Sequence, residues 1–260
     1  MSNPRIIVAI PAYNCEIQIS RVINGFNKKL LEEVDEVIII NNRSEDDTVK
    51  EAQKAIIESE SSKFSILTNT KNYNLGGTHK VAFLYAEKKK ANYVAILHGD
   101  DQARTGDLSD LINVVKNNPQ AAAILGSRFS KESKLHGYSI ERIIGNKILN
   151  LLYSIVTLHH TKDLGSGLNM FKIASLQDHK YLGFGDNLAF NFDLLLDYYR
   201  KKSTIVYVPI TWRETDQVSN AHNFTIAKLA ISKLFRWRLK REKFQNKKTT
   251  DYTTMKVWPI

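Results

Sequence analysis

The 260-residue chain has a single cysteine, Cys15, so no internal disulfide can form and nothing points to an oxidising compartment. Long apolar runs are missing too. None approaches the ~20 apolar residues that a membrane-spanning helix needs, and the apolar part of the opening MSNPRIIVAI is too short for a secretion signal. These absences predict a cytoplasmic protein that is at most peripheral on the cytosolic membrane face. Internal repeats and low-complexity linkers are also absent. With 43% apolar residues the chain can bury a full core, so one domain with a decorated C-terminus is expected.

Acid is scarce in one stretch. Between 228 and 248, nine Lys or Arg stand against one acid, Glu242, and supply +8 of the formal net charge of +10. Such a run suits an anionic membrane surface or nucleic acid, or it is a solvated helix face. The few aromatics interleaved with it, Phe235, Trp237 and Phe244, make no stacking platform, so no nucleic-acid partner is expected. Helical spacing over 223–244 gathers Ile226, Ala230, Leu234 and Trp237 on one side and Lys228, Lys233, Arg236, Lys240 and Lys243 on the other. A basic amphipathic helix with a Trp reads as membrane-interfacial. Packing on its own domain is the plainer use, above all for its first half.

Upstream, short apolar runs alternate with helix-like stretches. RIIVAI (5–10), VDEVIII (34–40), KFSIL (63–67), YVAIL (93–97) and AAAIL (121–125) predict strands. Between them, 16–29, 46–59, 77–90 and 107–117 carry apolar residues at spacings of three and four, which predicts helices. This alternation means parallel strands with crossovers, hence an α/β sheet covered on both faces. Past 126 the pattern predicts a helix over 139–158, a Gly-rich turn at 164–169, a helix over 187–202 and a strand over 204–210.

In open α/β sheets ligands bind beyond the carboxyl ends of the strands. Here those ends read PAYNCE (11–16), NNRSEDDT (41–48), TKNYNLGG (70–77) and HGDDQ (98–102). Taken singly, the first three are ordinary turn and cap sequences, Ser44 with Asp47 forming a capping box. The fourth sets Asp100 beside Asp101, where mutual repulsion opposes ionising both and a bound cation would relieve it. Asp100 and Gln102, two residues apart, could both face a hard divalent ion, although an Asp pair also begins many helices.

In order, these features resemble family 2 glycosyltransferases of the GT-A fold: PAYN, a loop ending S-x-D-x-T (44–48), an N-x-G-G turn (74–77) and a D-x-D-like loop. Gly126-Ser127-Arg128, Arg142 in YSIERIIGN and DLGSGLN (163–169) are similar to elements of dolichol-phosphate mannose synthases and related polyprenol-phosphate glycosyltransferases. The resemblance implies a Rossmann-like, mostly parallel sheet flanked by helices over 1–220, with a basic amphipathic helix and tail over 221–260. In that family the fourth loop reads D-A-D-x-Q. On this chain the second Asp is Asp100, the amide is Gln102, and His98 replaces the first Asp; it ligates the metal, contacts the donor or packs at the strand end. Asn41 and Asn42 stand where relatives carry acids that meet the nucleobase and ribose.

What the resemblance implies for chemistry is inverting, metal-dependent transfer of a sugar from a UDP- or GDP-sugar to a polyprenyl-phosphate or other lipid-linked acceptor. Mg2+ or Mn2+ would sit on Asp100 and Gln102. Pro11, Ala12, Tyr13, Asn14, Glu16, Asn42, Gly76, Asp100 and Arg213 would meet the donor, Arg213 from a loop, TWRETDQVSN, resembling one that closes over the diphosphate. Its plainer role is an ion pair with Glu214 or Asp216. Arg128 and Arg142 would grip the acceptor phosphate, already an anionic nucleophile at neutral pH. A glycan-hydroxyl acceptor would instead need a base: Asp193 stands at about the implied position and Asp163 is the other candidate, unless each is structural. A degenerate GT-A module that binds nucleotide without turnover is the non-enzymatic alternative.

Overall fold

The computed structural model describes residues 3–214, 216 and 223–259. In chain order these form β1 (Ile6–Ala12), α1 (Ile19–Asn24), α2 (Lys28–Glu32), β2 (Glu36–Asn41), α3 (Thr48–Glu58), β3 (Phe64–Asn69), α4 (Asn74–Lys88), β4 (Tyr93–Leu97) and α5 (Leu108–Asn117). Then follow β5 (Ala123–Ser127), β6 (Lys134–His136), α6 (Ile140–Thr157), β7 (Leu168–Lys172), α7 (Phe190–Arg200), β8 (Ile205–Pro209), β9 (Thr211–Arg213), α8 (Asn223–Arg238) and β10 (Thr254–Trp258). Among the described residues, eight strands make one sheet in the order β10-β3-β2-β1-β4-β7-β5-β8, and β6 pairs with β9 apart from it.

The apolar runs become strands because the sheet is covered on both faces. Along β1, Ile6, Val8 and Ile10 join one core with α1, α3 and α5, while Ile7 and Ala9 join the other with α4 and α7. A strand buried on both sides has no polar alternation, which is why β1 to β4 were legible as uninterrupted apolar runs. β1 pairs in parallel with β2 and β4, and β2 with β3.

Several features depart from the sequence expectation. The helix expected over 16–29 is two short helices, because the Asn27 side chain accepts the Leu30 N–H and caps a second start. Ser44 and Asp47 make no capping box; Asp46 Oδ1 takes the Thr48 N–H at 3.1 Å instead. The stretch after the Gly-rich turn is a strand, β7, inserted antiparallel between β4 and β5. β10 is likewise unanticipated and lies antiparallel on β3.

The division placed at 220/221 lies outside the described residues. Beyond it the chain returns to the fold. α8 packs on α6 and α7, with Ala230 and Leu234 fully buried, Tyr153 Oη donating to the Ala230 carbonyl at 2.7 Å and Trp237 Nε1 to the Leu196 carbonyl at 2.9 Å. Its apolar side is thus packed on its own domain, and the helix ends at Arg238, short of the expected 244. Among the described residues no helix is long and apolar enough to cross a membrane.

Candidate functional site

The carboxyl ends of β1, β2 and β4 open on a cleft of about 650 Å³ that α6 and residues 164–167 also line. Pro11, Ala12, Tyr13, Asn42, Asp100 and Gln102 line it from those strand ends, and Arg128, Arg142 and Asn146 from elements later in the chain. Sequence elements more than a hundred residues apart therefore meet around one space.

The loops after β1 and β2 are stitched together. Asn14 N donates to Ser44 Oγ at 3.1 Å, Asn14 Oδ1 accepts from Glu45 N at 2.9 Å, and Glu16 Oε2 accepts from Asp47 N at 2.9 Å. Thr48 Oγ1 takes the Cys15 N–H at 2.8 Å. Asn14 and Glu16 thus hold the loops and do not line the cleft. Burial pushes the Cys15 thiol up to about 12, so the one cysteine is a neutral packing group.

A chain of amides joins the second and third loops. Asn42 Oδ1 accepts from Asn69 Nδ2 and from Tyr73 N, both at 2.8 Å, while Asn42 Nδ2 donates to Asn72 Oδ1 at 2.8 Å. Gly76 does not line the cleft either. Its N–H bonds the Asp186 carbonyl at 2.7 Å, and a Cβ there would fall 2.6 Å from Phe190 Cβ, so this glycine allows the start of α4 to meet the 185–186 backbone.

The Asp pair is divided between two jobs. Asp101, at a left-handed φ of 57°, turns away and is buried between Arg21 Nε at 2.9 Å and Arg213 Nη2 at 3.0 Å. Arginines answer its charge, and Asp101 is the partner that holds Arg213. Arg21 also binds Asp216 at 2.7 Å; Thr215 and residues 217–220 of the same loop lie outside the described residues. Asp100 stays on the cleft wall. Burial raises its carboxyl above the usual range and Asp101 adds to this, while His98 and the Gln102 N–H pull it down.

His98 sits behind Asp100. Its N–H bonds the Gly167 carbonyl at 2.9 Å and its Nε2 lies 3.1 Å from Nε2 of fully buried His79. A Cβ on Gly167 would stand 3.1 Å from the His98 ring, so the turn and the ring fill each other's space. His98 borders the cleft but is committed to packing.

Arg128 is held flat by Asp163, with Nε to Oδ2 at 2.9 Å and Nη2 to Oδ1 at 2.8 Å, and Nη2 also reaches the Gly165 carbonyl at 2.7 Å. The Trp212 ring lies beneath it, 4.9 Å from the guanidinium carbon. Arg142 stacks on Tyr138 at 4.3 Å and pairs with Glu214, leaving its buried Nε without a partner. Asp193 lies off the cleft, in an ion pair with Lys233 at 2.6 Å.

The sequence offered Glu214 only as a partner for Arg213, but it accepts from Arg142, from Gln102 Nε2 at 3.4 Å and from Trp212 Nε1 at 3.4 Å. Arg21, Asn72 and His79 were missed. No local signal marks them, because each acts on partners distant in sequence. Among the described residues no group of three or more His, Cys, Asp or Glu could hold a metal by itself. Asp100 and Gln102, the two donors the sequence offers a metal, both line the cleft.

Residues 7–180 match the family described as Glycosyl transferase family 2. The chain is 23% identical over 187 residues to UDP-N-acetylglucosamine--dolichyl-phosphate N-acetylglucosaminyltransferase of Methanococcus voltae, covering 68% of this chain and 73% of the relative. It is 24% identical over 227 residues to Dolichyl-phosphate beta-glucosyltransferase of Saccharomyces cerevisiae, covering 80% and 67%. Glucosyl-3-phosphoglycerate synthase from Mycobacterium tuberculosis, in complex with Mn2+, UDP and phosphoglyceric acid, superposes with a TM-score of 0.66 at 13% identity, over 98% of this chain and 87% of that one. That likeness identifies the fold as the GT-A type.

Proposed function

The chain belongs to glycosyl transferase family 2 and is a glycosyltransferase, and we propose that it moves a sugar, with inversion, from a nucleotide sugar to a lipid-linked phosphate at a membrane surface. The donor is a UDP- or GDP-sugar. Both relatives named for dolichyl-phosphate acceptors support the acceptor class, and the UDP in the M. tuberculosis complex supports the donor class.

One observation carries this reading: a carboxylate and an amide, Asp100 and Gln102, line the same cleft as two arginines, Arg128 and Arg142. Displacement at an anomeric carbon places developing charge on the leaving diphosphate. Mg2+ or Mn2+ bound by Asp100 and Gln102 would neutralise that charge as a Lewis acid. Pro11, Ala12, Tyr13 and Asn42 give the walls against which a nucleoside would lie. Arg142 has an unsatisfied Nε and Arg128 is preset by Asp163, so both suit the acceptor phosphate.

A phosphate monoester with a second pKa of about 6 attacks as an anion and needs no strong base. Asp163 is engaged by Arg128 and Asp193 by Lys233, which favours the phosphate over a glycan hydroxyl. Glu214 holds Arg142 and Gln102 together and would be the group that substrate phosphates displace.

Thermal unfolding with UDP- and GDP-sugars, with and without Mn2+, tests the donor site. A stabilisation that needs both metal and one nucleotide, and is lost in Asp100→Ala, is expected, since a ligand bound only by the folded state raises its stability. No shift with any nucleotide at saturation would overturn the reading in favour of a degenerate module.

A further inference from the structure

Helix α6 separates the cleft from solvent, and its two faces are unlike. The inner face presents Arg142, Asn146 and Leu149 to the cleft and buries Asn150, Tyr153 and Thr157. The outer face, continued by its capping residue, carries Ile140, Ile144, Ile148, Leu151, Ile155 and Leu158, each 53% to 88% exposed. At 100° per residue all six fall within an arc of about 80°, a stripe about 27 Å long. Single exposed aliphatics are ordinary; six in register on one helix are not.

We propose that this stripe lies on an anionic lipid bilayer, so that the mouth of the cleft stands at the headgroup plane. The proposal rests on the lipid-phosphate reading above and assigns membrane contact to α6, because α8, the helix expected to supply it, turns its apolar side inward. The make-up of the stripe favours lipid. Protein interfaces centre on aromatic and Arg anchors seated in matching pockets, whereas a bilayer takes any aliphatic face without shape matching.

Charge selects the same partner. Around the stripe, residues 131–162 carry Lys131, Lys134, Lys147 and Lys162 against Glu132 and Glu141, Arg142 being turned inward and paired with Glu214. Packed on α6 is α8, whose Lys228, Arg236 and Arg238 are exposed. A second copy of this chain would bring the same positive field and be repelled, while acidic headgroups complement it. Only the width of one helix, ~10 Å, separates the stripe from Arg142. A lipid with its phosphate at Arg142 would therefore leave its hydrocarbon on the side where the stripe is buried.

The test is co-sedimentation of the full chain with vesicles of phosphatidylcholine, alone or with a minor fraction of phosphatidylglycerol. The variants are Ile144→Gln/Ile148→Gln/Ile155→Gln on α6 and, as a control, Phe235→Gln/Leu239→Gln at the far end of α8. Wild type and control should bind the phosphatidylglycerol vesicles, and the α6 variant should bind them more weakly by about tenfold or more. An unchanged unfolding midpoint and a retained nucleotide-dependent shift show that the α6 variant is folded and its donor site intact. Wild type that stays in the supernatant, or an α6 variant that binds as wild type does, would overturn the proposal. So would a wild-type dimer that the α6 variant splits, which would give the stripe to a second copy. Loss of the nucleotide shift in wild type would instead count against the proposed function and leave the vesicle result to be judged on its own.

Discussion

Asp101 and Asp100 share a strand end, yet their surroundings give them opposite energetics. Arg21 and Arg213 are 42% and 38% exposed, so water screens their pairs with Asp101. Asp101→Asn should therefore lower stability by only about 1–2 kcal/mol in urea unfolding. Asp100 gains no such partner, and Asp100→Asn should leave metal-free stability unchanged or raise it. Equal losses in the two variants would contradict this division. His79 gives the pH dependence. Burial, aided by the neighbouring His98, holds its pKa well below the ordinary 6.5, so the folded chain keeps it neutral. An unfolded chain takes up the proton as pH falls through 6.5, so this contribution to stability is present above that pH and lost below it. Wild-type stability should fall by up to about 1.4 kcal/mol per pH unit from this residue, and His79→Gln should flatten the fall measured between neutral and mildly acid buffer.

Among the elements, β10 closes the β3 edge and carries Tyr252 just before it into a buried polar knot. Lys80 Nζ donates to Asp186 Oδ1 at 2.6 Å, to the Phe184 carbonyl at 2.6 Å and to Tyr252 Oη at 3.0 Å, while Tyr252 Oη donates to Asp186 at 2.6 Å. Tyr252→Phe removes the hydroxyl that donates to Asp186, while Lys80 Nζ keeps Asp186 and the Phe184 and Leu182 carbonyls as acceptors, so it should cost about 0.5–1.5 kcal/mol, seen as a lower urea midpoint with unchanged slope. That knot was invisible in the sequence, as were β7 and β10. LNMFK and TMKVW are short and mix polar with apolar residues, because an antiparallel strand threaded late into a sheet, or set at its edge, shows no clean period. β1 to β4 were legible because burial on both faces leaves an unbroken apolar run. The same holds for the site. Pro11, Ala12, Tyr13, Asn42, Asp100, Gln102, Arg128 and Arg142 do line one cleft, being read from strand-end loops whose place in a parallel sheet is fixed. Asn14, Glu16, Gly76, Arg213 and Asp193 serve the loops and helices around it, since which polar group meets a neighbour is decided by distant contacts.

For the whole molecule, α8 packs into a core and β10 joins a sheet that both begin at β1. One unfolding transition is expected, with tryptophan fluorescence and far-ultraviolet circular dichroism coinciding; Trp237 and Trp258 report the C-terminal part and Trp212 the cleft. Two separated transitions would show that the C-terminal segment folds by itself. The insertion of β7 has a bearing on biosynthesis. As the chain leaves the ribosome, β4 and its loop are complete long before α6 and β7 exist, and β5 appears without a strand beside it. Only when β7 slides between them does the Gly167 carbonyl arrive to hold His98. A nascent chain arrested before residue 168 would contain Asp100, Gln102, Arg128 and Arg142 and still have no place to bring them together.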